Sequence, residues 1–383
     1  MKLRYKITNG ILLLLVIAMS TLAVVLSHDS ACQPAPAISN DATTMKAITY
    51  RCYGSPDVLA FEDIEKPLPA DDEILVKVVA ASVNPLDWHF VRGTPYFLRL
   101  MSGLGAPDDT RLGVDFAGTV EAVGRDVTRF KPGDEVFGGS NGVFADYVTV
   151  AANGAVVMKP AEVTFEQAAS APIAAITALQ ALRDIGKLEP GQKVLINGAS
   201  GGVGTFAVQI AKSLGAEVTG VNSTRNVEMV RSIGADHVFD YRKEDYTESG
   251  QQFDLIIDMV SNHSLSKNRR ALTPDGTFVI VGGGKGNWLG PIMTPIKAAM
   301  MSPFVDQEFA MVLAEMNQPD LEALGELIQA GEVTAVIDSR YPLSDVAAAI
   351  RHSEEGHTRG KIIINVQQSA VETSIEESTE QRP

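Results

Sequence analysis

The sequence predicts an α/β protein with a mostly β domain and a doubly wound domain built on a parallel sheet. Three observations support this fold class. Val194–Gly204 reads as a short strand, a glycine-rich turn and the start of a helix. Strand and helix patterns alternate from Phe165 to Val281. Alternating strand patterns without comparable helices fill Met45–Val150.

The length and composition limit the kinds of protein that this chain can be. Its 383 residues suffice for two domains, and 45% hydrophobic residues with 33 glycines indicate a globular chain. The net charge of −15 argues against a nucleic-acid partner, because no basic stripe is available to neutralise phosphates. The two cysteines, Cys32 and Cys52, are too few for a disulfide framework or a four-thiolate zinc site.

The N-terminus carries a hydrophobic segment. Three basic residues precede the uncharged apolar run Ile11–Leu26, and the polar, Pro- and Ala-rich stretch Ser27–Thr44 follows it. We expect residues 1–44 to form a hydrophobic helix and a linker, with Ile11–Leu26 as an uncleaved membrane anchor. The alternatives are a cleaved signal or lipoprotein signal, although Asp29 near Cys32 disfavours lipidation, and a buried core helix. The side of the membrane on which the remainder lies stays open.

The next segment, 45–165, reads as the mostly β domain. Its apolar residues alternate over short runs that glycine and proline separate from one another. The predicted strands are Met45–Tyr50, Glu73–Ala81, Leu112–Val123, Asp134–Phe137 and Phe144–Val150.

Residues 166–290 read as the doubly wound domain. Phe165–Gly186 has helical spacing, and five β runs with helices between them then make a parallel sheet the economical arrangement. The predicted strands are Val194–Ile196, Val218–Val221, His237–Phe239, Leu255–Ile257 and Thr277–Val281.

The remainder, 291–366, is expected to return to the β domain. After Gly284 we expect an irregular stretch with three prolines and then two amphipathic helices, around Phe309–Glu315 and Leu321–Ala330. Gly360–Val366 reads as a closing strand that completes the β domain. The polar, acidic tail 367–383 is expected to be disordered.

The glycine-rich turn predicts a dinucleotide site. Gly201 and Gly204 follow either Ala199, as G-x-G-x-x-G with its first glycine replaced, or Gly198, as G-x-x-G-x-x-G. Glycines let the backbone approach a pyrophosphate, and a helix N-terminus offers free N–H groups. A nucleoside-triphosphate loop is disfavoured because no Lys-Ser or Lys-Thr follows, and a turn without a ligand is the remaining alternative. The predicted contacts are Gly198, Ser200, Gly201, Gly202, Val203 and Gly204.

Four further motifs accompany this turn: SVNPLDW at Ser82–Trp88, GVDFAG at Gly113–Gly118, FKPGDEV at Phe130–Val136 and GKI at Gly360–Ile362. With these motifs in this order over about Met45–Val366, the chain resembles the medium-chain dehydrogenase/reductase superfamily, in its zinc-less, quinone oxidoreductase-like branch with NAD(P)-dependent alcohol dehydrogenase-like relatives. The resemblance implies a GroES-like catalytic domain split around a Rossmann domain, with substrate and nicotinamide meeting in the cleft. It also implies a homodimer through the edge of the Rossmann sheet.

No metal site is expected. Zinc-dependent relatives have a Cys near the position of Ser82–Asn84 and a His-Glu pair where this chain has Asp115-Phe116. A catalytic zinc needs three protein ligands in one cleft, whereas the six histidines here are scattered along the chain.

The end of the second predicted strand indicates which nicotinamide cofactor is bound. In NAD-binding folds an Asp or Glu about 20 residues beyond the glycines accepts the ribose hydroxyls. Here Ser223, Thr224 and Arg225 stand without a carboxylate, and guanidinium–phosphate pairs are charge-assisted. We therefore expect NADPH, unless Arg225 simply begins the next helix. The resemblance places Tyr241 near the same phosphate, with packing on the sheet as its alternative. Gly282 and Gly283 complete the predicted cofactor residues.

Little side-chain chemistry is expected at the reacting atoms, because the cofactor supplies the hydride and the protein supplies binding and orientation. Asn84 could donate a hydrogen bond to a substrate carbonyl oxygen as it becomes negative. Asp87 is expected to tie down the following loop, including Arg92, rather than to transfer a proton. His89 could protonate an enolate or hydroquinone oxygen, and its alternative is a histidine at the cleft rim.

These observations predict a zinc-independent, NADPH-dependent oxidoreductase that transfers hydride to a quinone or an α,β-unsaturated carbonyl compound. An alcohol or aldehyde dehydrogenase is the alternative within enzymology, and the absent zinc ligands disfavour it. An NADPH-binding sensor or structural protein with little turnover is the alternative from another class. The fold does not decide the substrate, because it hosts many activities.

Overall fold

The computed structural model describes residues 2–284 and 286–367 of the chain. The strands are β1 (Thr44–Thr49), β2 (Ala60–Glu65), β3 (Glu73–Val83), β4 (Asp115–Val123), β5 (Glu135–Gly139), β6 (Tyr147–Ala151), β7 (Val156–Met158), β8 (Lys193–Asn197), β9 (Glu217–Asn222), β10 (His237–Asp240), β11 (Phe253–Asp258), β12 (Leu272–Ile280), β13 (Glu308–Met311), β14 (Ile337–Pro342) and β15 (Lys361–Asn365). The helices are α1 (Lys2–Ser27), α2 (Pro85–Arg92), α3 (Arg99–Ser102), α4 (Phe165–Ser170), α5 (Pro172–Leu179), α6 (Gly202–Ser213), α7 (Val227–Ser232), α8 (Leu265–Arg270), α9 (Gly290–Met301), α10 (Gln318–Gln329) and α11 (Val346–Glu354). The predicted disordered tail lies, except for Gln367, outside the described residues.

A six-stranded parallel sheet has the order β10-β9-β8-β11-β12-β13. The chain enters at β8, moves outward to β10, and then crosses to β11 on the other side of β8. Val194, Leu195 and Ile196 of β8 are fully buried, as expected where both faces of a parallel sheet are covered. Doubly wound sheets bind ligands at the carboxyl ends of the strands where this order reverses. The glycine turn follows β8 at that point.

Two predictions for the last third of the chain are wrong. Glu308–Met311 lies largely within the predicted helix Phe309–Glu315, but it is strand β13, which pairs in parallel with β12. Periodicity cannot tell a strand from a helix in so short an apolar run, so pairing with the sheet decides. The irregular stretch predicted after Gly284 contains α9 instead. Pro291 occupies the first turn of this helix, where no backbone N–H is needed, and Pro295 removes one hydrogen bond.

A seven-stranded sheet has the order β14-β15-β3-β4-β5-β7, and β6 also pairs with β3. β3 is its centre and runs antiparallel to β15, β4 and β6. The closing strand predicted at Gly360–Val366 is β15, which lies beside β3 with Ile362 opposite Val83. The sequence patterns miss β14 and α11. Because β15 returns to this sheet, it brings Lys361 to the end of β3.

The membrane anchor predicted at Ile11–Leu26 is wrong. No helix among residues 2–284 and 286–367 combines the length and apolar character that crossing a membrane requires. The apolar run Ile11–Leu26 of α1 has 16 residues, and at about 1.5 Å per residue it rises only about 24 Å, whereas a bilayer core is about 30 Å thick. The buried-helix alternative also fails, because Leu14 and Met19 are exposed.

The residues after α1 are attached to the β domain rather than forming a free linker. We call residues His28–Cys32 the strap. Cys32 forms a disulfide with Cys52, and the Ser30 N–H donates to the Gly105 carbonyl at 2.8 Å. A single disulfide was not predicted from the two cysteines.

The buried side chain of Arg99, only 2% exposed, holds the strap in place. Its Nη1 and Nη2 donate to His28 O and Asp29 Oδ1 at 2.9 and 2.8 Å, and its Nε donates to Gly93 O at 2.8 Å. The guanidinium also lies over the rings of Tyr53 and Tyr96, at 4.3 and 4.9 Å from their centroids. The strap and the loop Gly93–Gly105 therefore share one buried cation.

Candidate functional site

A cleft of about 610 Å³ lies beside the glycine turn and is also lined by residues of the β domain. It brings together most of the residues predicted for the cofactor and one of those predicted for catalysis. The predicted residues that line it are Asn84, Gly198, Ser200, Gly201, Gly202, Val203, Ser223, Arg225 and Tyr241. The predicted residues that do not line it are Asp87, His89, Gly204, Thr224, Gly282 and Gly283.

The glycine turn favours the G-x-x-G-x-x-G interpretation. Gly198 has a φ of 97°, a left-handed conformation that glycine adopts without strain. A Cβ on Gly204 would lie 2.1 Å from the Gly198 carbonyl oxygen, so this glycine permits close packing rather than contact with a ligand. A Cβ on Gly201 would meet only that oxygen, at 3.5 Å, which leaves the backbone open to the cleft. Ala199 is fully buried. This cradle at the start of α6 fits a pyrophosphate.

Two cations line the cleft near the end of β9. They are Arg225, whose Nη2 donates to the His357 carbonyl, and Arg242, which was not predicted. Thr224 turns away, because its hydroxyl donates to Asp240 Oδ2 at 2.6 Å. This hydrogen bond lowers the pKa of Asp240, and Asp240 is not among the lining residues. The cleft therefore presents guanidinium groups and no carboxylate at this end.

Gly282 and Gly283 act through packing. A Cβ on Gly282 would lie 2.1 Å from the Met259 carbonyl oxygen, and one on Gly283 would lie 3.0 Å from the Pro291 side chain. Gly282 therefore allows the chain after β12 to pass close to the end of β11, and Gly283 allows it to pass close to the first turn of α9. Met259 itself lines the cleft, so the two glycines shape the site indirectly, through the residues that they pack against.

A buried polar group closes the other end of the cleft. We call Asn84, Asp87, Asp115 and Lys361 the lysine cluster. Lys361 Nζ donates to Asn84 Oδ1 at 2.5 Å and lies 3.5 Å from Asp115 Oδ2. Asp115 Oδ2 also accepts from Asn84 Nδ2 at 2.9 Å and from the Ser82 hydroxyl at 3.1 Å. An ammonium and a carboxylate thus neutralise each other under the cleft floor.

Strand register explains this assembly. Ser82 pairs with Asp115 across β3 and β4, and Ile362 pairs with Val83 across β15 and β3. Asn84 follows β3 directly and caps α2. The Gly360 N–H donates to the Ser200 carbonyl at 2.9 Å, so the start of β15 is joined to the glycine turn. The cluster and the cradle are therefore held at a fixed separation by backbone hydrogen bonds.

Burial shifts the ionisation of the cluster. It raises the pKa of Asp115, while Lys361 and the hydrogen bond from Asn84 oppose that shift. It lowers the pKa of Lys361, while Asp115 and Asp87 oppose that shift. Burial, with the nearby Asp115 carboxylate, raises the pKa of Asp87 to about 7. One ammonium therefore stands beside two carboxyl groups, and Asp87 is the one that lacks a close cation.

Asp87 does not tie down Arg92 as expected. Its Oδ2 accepts from the Asn84 N–H at 2.7 Å in a capping box at the start of α2, and its Oδ1 has no partner among the described residues. Arg92 instead donates to both carboxylate oxygens of Glu354 on α11, at 2.8 and 2.9 Å. The reason is helix geometry: Asp87 faces the cluster at the first turn, whereas Arg92 lies at the last.

His89 lies on α2 with its ring against Trp88, 3.6 Å between centroids. Its Nδ1 is 2.6 Å from the Thr94 carbonyl oxygen, an acceptor, so Nδ1 carries the proton. Burial lowers the pKa of this imidazole. His89 is therefore neutral near pH 7, and its role in proton transfer stays a prediction.

Besides Arg242, the sequence analysis missed Lys361 and Asp115 as site residues. Each is a charged residue at the start of a largely apolar strand, in GKIIINV and DFAGTVEAV. A charge in a strand that is otherwise buried is expensive unless it is paired, and that signal could have identified both. In the described part of the chain, no group of three or more His, Cys, Asp or Glu side chains could hold a metal ion.

Comparison with known proteins extends these observations. Residues 70–161 match the family Alcohol dehydrogenase GroES-like domain, and residues 233–364 match the family Zinc-binding dehydrogenase. The human NAD(P)H oxidoreductase RTN4IP1, mitochondrial, is 35% identical over 362 residues, which covers 85% of this chain and 90% of that protein. The Arabidopsis thaliana chloroplast envelope quinone oxidoreductase homolog is 34% identical over 340 residues, with 84% and 98% covered.

A solved structure agrees with this assignment. The Escherichia coli quinone oxidoreductase complexed with NADPH has a TM-score of 0.73 at 25% identity, and the match covers 84% of this chain and 100% of that one. The predicted resemblance is thus confirmed on both sequence and fold.

Proposed function

The chain belongs to the medium-chain dehydrogenase/reductase superfamily, in its quinone oxidoreductase-like branch, and is an NAD(P)H-dependent oxidoreductase. From that premise we propose that it is a zinc-independent reductase that uses NADPH to reduce quinones or α,β-unsaturated carbonyl compounds. One observation carries the proposal: a single cleft joins a pyrophosphate cradle to a buried, charged lysine cluster. When bound, the cofactor supplies the hydride, and the protein binds, orients and excludes water.

The preference for NADPH rests on the charges near the end of β9. Arg225 and Arg242 line the cleft there together with Ser223 and Tyr241, and no carboxylate does. An arginine fork suits a 2′-phosphate, whereas the ribose hydroxyls of NADH are usually held by Asp or Glu. Arg225→Ala should weaken NADPH binding by tenfold or more and leave NADH binding nearly unchanged, as measured by fluorescence of the bound cofactor. An equal loss for both cofactors would defeat this assignment.

Zinc independence rests on the contacts of Asp115. Asp115 stands where the resemblance places the His of the His-Glu pair of zinc-dependent relatives. Its carboxylate is already in contact with Lys361, Asn84 and Ser82. An ammonium 3.5 Å from this oxygen would repel a divalent cation. The lysine cluster offers two carboxylates but neither of the His or Cys ligands that zinc prefers. These residues do not fit a catalytic zinc.

The full chain with NADPH and a panel of quinones and enones tests the proposal. The decay of NADPH absorbance should continue in the presence of a chelator. The reaction should be slower when NADH replaces NADPH. Activity that a chelator abolishes would support the alcohol dehydrogenase alternative. Saturable NADPH binding without oxidation against the whole panel would support the sensor alternative.

Two finer proposals need their own measurements. If His89 transfers a proton, His89→Phe should change how turnover depends on pH, and an unchanged profile would remove it from the mechanism. If the protein is a homodimer through the Rossmann sheet, we propose β13 as the contact, because it is one of the two edge strands of that sheet, β10 being the other. Light scattering of the purified chain should then give twice the mass of 40.9 kDa.

A further inference from the structure

The side-chain amide of Asn84 is already engaged inside the lysine cluster. Its Nδ2 donates to Asp115 Oδ2 at 2.9 Å and lies 3.5 Å from the Ser82 carbonyl oxygen. Its Oδ1 accepts from Lys361. An amide nitrogen has two N–H donors, and both are directed towards these inward partners. A substrate oxygen in the cleft could receive a hydrogen bond from Asn84 only if a buried bond were broken first, which is unfavourable.

Lys361 borders the cleft, as Asn84 does. It lines the cleft, and its stem passes over the glycine turn, because a Cβ on Gly202 would lie 3.3 Å from Lys361 Cδ. Its ammonium contacts Asn84 and Asp115, at 2.5 and 3.5 Å. An ammonium has three donors, so these two contacts leave one. A hydrogen bond from a charged donor is about twice as strong as one between neutral groups.

Two contacts hold the Lys361 Nζ in place, and the Asp115 carboxylate among them favours its charged form. Burial lowers the pKa of the ammonium, and the Asp115 and Asp87 carboxyl groups oppose that shift in part. Only 3% of the lysine side chain is exposed, and none of Asp115 is. The other two groups predicted for catalysis, Asp87 and His89, do not line the cleft.

We propose that Lys361 donates the hydrogen bond to the substrate oxygen on which negative charge develops, with Asn84 and Asp115 as the residues that position it. The inference rests on the proposed function and deepens it. It selects conjugated carbonyl compounds whose reduced form is an enolate or a hydroquinone anion. A buried, preoriented ammonium stabilises such an oxygen without any transfer of its own proton.

Binding of 4-nitrophenol tests this proposal without turnover, because its phenolate is coloured and carries a comparable oxyanion. The full-length protein is titrated with the ligand at several pH values, and absorbance gives the ratio of bound phenolate to bound phenol. The wild-type cleft should favour the phenolate by about 10- to 100-fold relative to water, as a charged hydrogen bond would. Lys361→Met should lose this preference, and Lys361→Arg should keep most of it because it keeps a cationic donor.

Lys159→Met is the matched control. The side chain of Lys159 is also 3% exposed and pairs with Glu135, but it does not line the cleft. This variant should keep the phenolate preference of the wild type even if its stability falls. The proposal is overturned if the wild type shows no phenolate preference, or if the control loses it to the same extent as Lys361→Met.

NADPH affinity, measured by fluorescence in the same variants, separates a cofactor role from a substrate role. If Lys361→Met keeps the phenolate preference but loses NADPH affinity, the ammonium serves the cofactor and the proposal is wrong. Absence of turnover with every quinone and enone would instead count against the proposed function. A phenolate preference that depends on Lys361 would still support an oxyanion site in that case.

Discussion

Lys361 and Arg99 are both buried cations of the β domain, but they are held by different kinds of partner. Lys361 stands beside a fully buried carboxylate, Asp115, at the floor of the cleft. Arg99 donates to two backbone carbonyls and to Asp29, whose side chain is 59% exposed. Its remaining surface lies against two tyrosine rings.

This difference follows from the chemistry of the two cations. The planar guanidinium has five donors in a rigid fork, so carbonyl oxygens and aromatic faces can satisfy Arg99 without a buried anion. The compact ammonium is more strongly hydrated and needs a full counter-charge when it is buried. The arrangement around Arg99 suits a residue that joins two chain segments. The arrangement around Lys361 leaves a charged donor next to a space that a ligand can enter.

The largest loss of stability is expected when the anionic partner of Lys361 is removed. Asp115→Asn removes the carboxylate that contacts Lys361 and leaves only the more distant Asp87 carboxyl group, and we expect the free energy of unfolding to fall by about 3–5 kcal/mol. Urea denaturation followed by circular dichroism measures it. A loss as small as that of an exposed pair would mean that Lys361 does not depend on Asp115.

Removal of the second cation should have the next largest effect. Arg99→Met leaves the Gly93 and His28 carbonyls without their donor, so we expect a loss of about 2–4 kcal/mol in the same assay. The phenolate preference of the cleft should not change. A change in that preference would show that the strap and the site are coupled.

The two cations should also differ in how stability near them depends on pH, because only the lysine cluster holds a carboxyl group whose pKa burial raises to about 7. The pKa of Asp87 is raised to about 7 in the folded protein, so the folded state binds more protons than the unfolded state between about pH 4 and 7. Stability at this site is therefore greatest below that window and falls as pH rises through it.

Asp87→Asn should remove that fall. The difference in unfolding free energy between pH 5 and pH 8 should become smaller by about 2–3 kcal/mol. Arg99→Met serves as the control, because no titrating carboxyl group is buried beside Arg99, and its pH dependence should match the wild type. An Asp87→Asn protein that loses stability between pH 5 and 8 as steeply as the wild type would contradict the assignment.

The smallest effect is expected from Asp29→Asn. This carboxylate is mostly exposed, and exposed ion pairs contribute about 0–1 kcal/mol. The two backbone carbonyls should hold Arg99 without it. A loss comparable with that of Asp115→Asn would erase the distinction between the two cations.

The parts of the fold that the sequence predicted are those with local signals. β8 and the glycine turn combine an apolar run with glycines at the spacing of a dinucleotide-binding turn. The closing strand β15 contains a continuous apolar run, and a glycine precedes the strand. β13 has no such signal, because a four-residue strand at a sheet edge shows no period. Ile11–Leu26 is shorter than the roughly 20 residues that usually span a bilayer, so its length already argues against an anchor.

The contents of the site were harder to predict than its place. The cradle was found because its residues are neighbours in the sequence, and family motifs pointed to Asn84. The hydrogen bond from Lys361 to Asn84 joins residues 277 positions apart, and only the register of β15 against β3 brings them together. The strap depends likewise on Arg99, which stands in no recognisable pattern.

The return of β15 to β3 also sets an order of events during synthesis. Every other strand of the seven-stranded sheet except β14 leaves the ribosome before the parallel sheet begins, yet the central strand β3 waits for β15 until nearly the whole chain is made. Contacts so distant in sequence form late and slowly. Until Lys361 arrives, Asp115 has no counter-charge to be buried with. The site is thus among the last parts of the molecule to assemble, and a chain that ended before Gly360 would lack the ammonium that neutralises it.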